Sequence, residues 1–183
     1  AMDCVVSVPT CDLGDARARS AATDLRAFES EEDMFHGFRE VVRDLGLEES
    51  VIGLEKNFFD AALFEVFKSH LLPRATVVPA TPVLSRLRMI KEPVEIERMR
   101  RAAQVAEAGL ARAADVLAPG MREIDVAGEL EYAMRKVGAE GWASPVYVAS
   151  GRRSAIAHGP ASPKVIEKND VVQVHVAPIV GAY

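Results

Sequence analysis

Cysteine is scarce in this chain: Cys4 and Cys11 are the only two in 183 residues. They are too few for the disulfide framework of a small secreted domain and match no metal-ligand spacing, so both read as free thiols in a reducing cytoplasm. Aromatic residues make up 6% of the chain, and Trp142, the single tryptophan, reads as packing. Long apolar runs are missing too. No stretch reaches the ~18 consecutive apolar residues of a membrane helix, and no basic segment leads into an apolar one, so neither a span nor a signal peptide is expected. The net charge of −5 comes without a concentrated basic stripe. "RARSAATDLR" and "RMRR" are each interrupted or flanked by acids, which argues against nucleic acid as a partner.

What is present is an ordinary folded composition, 49% hydrophobic and 27% charged, in a length that allows one domain or two small ones. "CVVSVP" reads as a strand with no turn or cap before it, so the chain is expected to begin inside a domain. "DLGDARARSAATDLRAF" is polar and carries no clear period. A helix then follows, with Ser30 as N-cap, Asp33 in its first turn, and Met34, Phe38, Val41, Val42 and Leu45 at helical spacing before Gly46 stops it. "SVIGLE" and "ATVVPA" read as strands on either side of a helix running from a cap at Asn57 to a stop before Pro73. Strands alternating with helices predict an α/β layer.

The pattern changes between Thr81 and Arg86, which places a domain boundary there: 1–85 as an α/β domain, 86–183 as a second unit. Pro93 suits a first helical position, and Ile96, Met99, Ala103, Ala106, Leu110 and Ala113 form one apolar stripe of a helix running to about Leu117. After Gly120 a second helix puts Ile124, Ala127, Leu130 and Met134 on its buried side and stops at Gly138. "SPVYVAS" is a strand, "GRRSAIAHGPASPKVIEKND" a loop, and "VVQVHVAPIVGAY" a strand leading to a turn. Its alternation sets Val172, Val174 and Val176 on one face and Gln173 and His175 on the other.

Among polar residues, His158 in its small-residue loop and His175 on the following strand stand out. A lone histidine is ordinarily a solvated or satisfied side chain, the reading that holds for His36 and His70 on their helices. Arg152 and Arg153 are candidates for steering an anionic substrate group, against the plainer reading of solvated loop arginines. Ser150, Gly151 and Ser154 shape the turn, and without a GxSxG elbow no serine nucleophile is indicated.

Three segments together point further: "LRMIKEPVEIERMRRAAQVAEAG", "LAPGMREIDVAGELEYAMRKVGAEG" and "YVASGRRSAIAHGPASPKVIEKNDVVQV". In order and separation they resemble the creatinase, prolidase and Xaa-Pro aminopeptidase family. The part before Arg86 resembles the later portion of that family's N-terminal domain. The resemblance implies a partial α/β N-terminal domain followed by the first half of an α+β pita-bread catalytic domain, truncated. It also implies a cytoplasmic hydrolase of C–N bonds in small peptides or amides, active in full-length form and inactive as this piece, and a homodimer.

His158 matches the family histidine that contacts the substrate and tetrahedral intermediate in the peptidases and resembles the general acid/base in creatinases. An imidazole suits either task, since its unperturbed pKa lies near ~6.5. Family metalloenzymes bind two divalent ions, manganese or cobalt, and His175 stands where the first metal-binding aspartate is expected. A histidine there would ligate as a neutral group, without a carboxylate's charge or paired oxygens. Together with "APIVGAY", this keeps open a metal-free, creatinase-like amidine or amide hydrolase. A non-catalytic homologue or dimerisation module is the third reading.

Overall fold

The structure, a computed structural model, describes residues 4–58 and 60–183. The chain divides into two compact units, one ending at Ile90 and one running from Lys91 to Tyr183.

In the first unit β1 (Val5–Pro9) pairs in parallel with β2 (Asp24–Phe28), the two joined through α1 (Leu13–Arg19). α2 (Glu31–Asp44) follows, then β3 (Val51–Leu54), α3 (Ala61–Val66) and β4 (Thr76–Pro79), with β3 and β4 also parallel. The unit closes on α4 (Thr81–Met89). Parallel pairs with helical crossovers are the α/β pattern that alternation predicts. The start of α2 is a full capping box: Asp33 N–H donates to Ser30 Oγ at 3.1 Å, and Ser30 N–H donates to Asp33 Oδ2 at 3.1 Å. The end of α2 turns at Gly46, whose φ of 65° is the left-handed conformation a helix stop uses. Val42, Leu71 and Leu72 form the buried centre, with Phe38 and Phe67 rings 4.5 Å apart beside them.

Three readings of this half are corrected. The stretch read as irregular contains both α1 and β2; Arg26 on β2 pairs with Asp24 at 3.0 Å and Asp44 at 3.2 Å, so charges that read as loop belong to a half-buried strand. The helix expected from Asn57 begins later. Asp60, not Asn57, is the cap, accepting from Leu63 N–H at 2.8 Å, and Phe67–Leu71 widens into a π turn; Phe59, within the predicted helix, lies outside the described residues. α4 occupies the stretch read only as a boundary.

The second unit is built on α5 (Pro93–Val116) and α6 (Glu123–Lys136), packed on each other, with β5 (Gly141–Trp142), β6 (Tyr147–Ser150), β7 (Val172–His175) and β8 (Pro178–Ile179). β6 pairs antiparallel with β7, and β5 with β8. Val105, Val126, Leu130, Met134 and Val148 are fully buried in one cluster, each burial contributing about 1.5–3 kcal/mol against exposure. Val172, Val174 and Val176 pack on that cluster, the face their alternation predicts.

The apolar stripe of α5 is corrected. Ile96, Met99 and Leu110 are exposed at 39%, 44% and 47%, while Val105 and Gly109, outside the predicted stripe, are buried together with Ala113 from it. Small residues win the inner face because α6 comes close: a Cβ on Gly109 would lie 2.8 Å from Met134 Cγ. On α6, Ile124 is exposed and Glu123 is buried. An isoleucine–glutamate pair at a helix start reads from sequence with those roles reversed.

Candidate functional site

The antiparallel register of β6 and β7 sets Tyr147 opposite His175 and Ala149 opposite Gln173. Directly opposed residues share a face, so these four line the side away from the valines. The loop after β6 folds back across this face. Gly159 packs against Ala149, where an added Cβ would come within 3.2 Å of the alanine's own, and Gln173 Nε2 donates to the Ala157 carbonyl at 3.0 Å. His158, between those two anchors, is exposed. Its ring sits 5.8 Å from that of Tyr147, and the His175 ring sits 5.4 Å from the same phenol. One tyrosine thus joins the two histidines singled out in the sequence.

Beneath the loop lies a buried carboxylate. Glu123, at the first turn of α6, is 0% exposed, and both its oxygens are engaged. Oε1 accepts from the Ser150 N–H at 2.7 Å and from its hydroxyl at 2.9 Å. Oε2 accepts from Arg153 Nε at 3.2 Å, Ser162 N–H at 3.2 Å and Ser162 Oγ at 2.6 Å. Burial pushes the Glu123 carboxyl up, but the hydrogen bonds of Ser162 and Ser150 and the charge of Arg153 outweigh it and hold the group below its ordinary range. The network continues outward: Lys164 Nζ donates to Ser150 Oγ at 2.9 Å and to Asp170 Oδ2 at 2.7 Å. The Lys164 hydrogen bond, with the Glu167 N–H, lowers the Asp170 carboxyl as well. Ser150, the last residue of β6, is fully buried between Glu123 and Lys164.

The two arginines part company here. Arg152 is exposed, whereas the half-buried Arg153 turns its guanidinium onto the protein, Nε on Glu123 and Nη2 on the Pro160 carbonyl at 2.7 Å. Sequence reasoning passed over Tyr147 and Glu123. Tyr147 carried a weak signal, an aromatic two residues from Ala149 on a predicted strand. Glu123 carried none, since an acid in a helix's first turn ordinarily reads as a dipole partner facing water. Among the described residues no group of three or more His, Cys, Asp and Glu side chains could hold a metal ion. The described residues therefore do not make a dinuclear manganese or cobalt centre by themselves, and His175 would offer it one neutral imidazole. No described helix is long and apolar enough to cross a membrane.

Residues 2–90 match the creatinase/prolidase N-terminal domain, and residues 97–183 match metallopeptidase family M24. The chain is 39% identical over 101 residues to a Xaa-Pro dipeptidase of Pyrococcus furiosus, covering 55% of this chain and 29% of that protein. It is 36% identical over 121 residues to the uncharacterized peptidase YqhT of Bacillus subtilis, covering 66% and 34%. The solved prolidase from Pyrococcus furiosus superposes with a TM-score of 0.80 at 27% identity, over 96% of this chain and 48% of that one. The chain thus spans about a third of the length of these curated relatives and about half of the solved one. With both halves matched in order, and with the fold that the matched structures share, the chain belongs to the creatinase, prolidase and Xaa-Pro aminopeptidase family, and carries part of its N-terminal α/β domain and part of its pita-bread domain.

Proposed function

We propose that the full-length protein hydrolyses the C–N bond of Xaa-Pro dipeptides, with His158 as its proton donor and acceptor or substrate anchor. The observation that carries this reading is the setting of His158: an exposed imidazole on a loop tied down at both ends, in the portion matching family M24. Two of the relatives are Xaa-Pro dipeptidases, which supports the substrate class. Water adds to the scissile carbonyl, the C–N bond breaks, and the departing nitrogen takes a proton that an imidazole at His158 is suited to supply. Arg152, exposed beside the loop, is the candidate to attract a substrate carboxylate.

The family name implies divalent metal, but the residues of this chain do not form that centre by themselves. His175 is the observation that favours a second reading, a metal-free hydrolase acting on a small amide or amidine. The assay that separates the two measures release of proline from Gly-Pro by the full-length protein, before and after a chelator. Loss of turnover on chelation, restored by manganese or cobalt, supports the dipeptidase. Chelator-resistant action on an amidine supports the alternative, and no hydrolysis of either substrate overturns both. The whole protein is expected to be a cytoplasmic homodimer, and the 183-residue chain alone is expected to be inactive.

A further inference from the structure

We propose that Glu123 is a positioning residue for His158, acting through Arg153 and Ser162; the inference rests on the role given to His158 above. The loop carrying His158 is exposed from Ala155 to His158, with Gln173 Nε2 on the Ala157 carbonyl and the Tyr147 ring beside the imidazole. Its placement depends on what grips the two flanks, and one carboxylate grips both. Ser150 and Arg153 precede the histidine; Ser162 follows it, and all three donate to Glu123. Arg153 turns this into a strut, its Nη2 reaching the carbonyl of Pro160, two residues beyond His158.

α6 supplies a firm base for that grip. Its opening N–H groups are bound to the same segment: Glu123 N–H donates to the Lys164 carbonyl at 3.0 Å and Ile124 N–H to the Ser162 carbonyl at 3.0 Å. Helix, strand end and loop therefore converge on one buried anion.

Stability alone is a poor account of such an arrangement. A buried ion pair is commonly matched or bettered by apolar residues of similar volume. What a multiply bonded carboxylate supplies that an apolar side chain cannot is direction: five donors fixed to two oxygens set the loop's angle and height. For a proton-transferring group that matters, since a misplacement of about 1 Å can lower a rate about 100-fold.

The test uses isotopically labelled histidines in the protein, with the two ring signals assigned from His158→Ala and His175→Ala. His36 and His70, in the first unit, serve as internal references, because His175 shares the Tyr147 ring with His158. In Arg153→Met, and in Glu123→Gln if that variant folds, the His158 ring signal is expected to move as its contact with the Tyr147 ring changes. Amide exchange over 157–162 is expected to quicken about tenfold or more, while the His36 and His70 signals and the α5 amides hold. An unmoved His158 signal in folded Arg153→Met overturns the proposal. So does an equal quickening of exchange at 157–162 and throughout α5, which would mark general destabilisation of the second unit. In the full-length protein, Arg153→Met should lower kcat about tenfold with KM little changed. If His158→Ala itself left turnover intact, the functional reading would fall while the spectroscopic result stood.

Discussion

Glu123 and Ser162 lie 39 residues apart in sequence, yet the serine hydroxyl donates to the glutamate carboxylate at 2.6 Å. That contact closes the loop bearing His158 onto the start of α6, and it makes the seating of that loop depend on one buried charge.

The dependence is visible in acid. The Glu123 carboxyl is held below its ordinary value of 4.5, so the unfolded chain takes up a proton more readily than the folded one. The stabilisation is therefore whole above about pH 5 and is lost as pH falls through 4.5 towards the lower native value. Melting temperatures measured from pH 7 down to pH 3 should fall in the wild type. Glu123→Gln should start lower and show a shallower slope, not a flat one, because the Asp170 and Asp125 carboxyls are lowered too. An identical slope in the variant would remove Glu123 from the account.

Gly151 opens the turn after β6 with φ of 57°, and a Cβ there would meet Asp170 Oδ1 at 2.7 Å. Gly151→Ala should cost about 1–3 kcal/mol from backbone strain together with displacement of Asp170 from Lys164. Urea unfolding measures it; a change under 0.5 kcal/mol would contradict the tight turn.

Gly109 tests the packing of α5 on α6. Alanine favours a helix by about 1 kcal/mol over glycine, yet at this position it pushes into Met134. Gly109→Ala should be net destabilising by about 1 kcal/mol, the overpacking penalty exceeding the helix gain. A raised melting temperature would show that the two helices have room to spare.

Much of this architecture was legible in the sequence because local chemistry wrote it. Ser30 and Asp33 announced the start of α2, Pro93 that of α5, and alternating valines the inner face of β7. The inner face of α5 was not legible in the same way. Ile96, Met99 and Leu110 are the larger apolar side chains, but the face that meets α6 is chosen by closeness, which adds Val105 and Gly109 to the Ala113 of the predicted stripe. β2 was hidden because Arg26 and Asp24 satisfy each other. At the candidate site, the motif around His158 is what singles it out in the sequence. Its supports were not legible, since Glu123, Ser150, Arg153 and Ser162 meet only after the chain has folded.

The most direct measurement is kcat/KM for a Xaa-Pro dipeptide with the full-length protein and its His158→Ala variant, both confirmed folded by circular dichroism. A proton-transferring His158 predicts a loss of about 100- to 10,000-fold, carried mainly by kcat. Turnover within twofold of wild type would contradict the assignment of His158 and, with it, the proposed function of the loop.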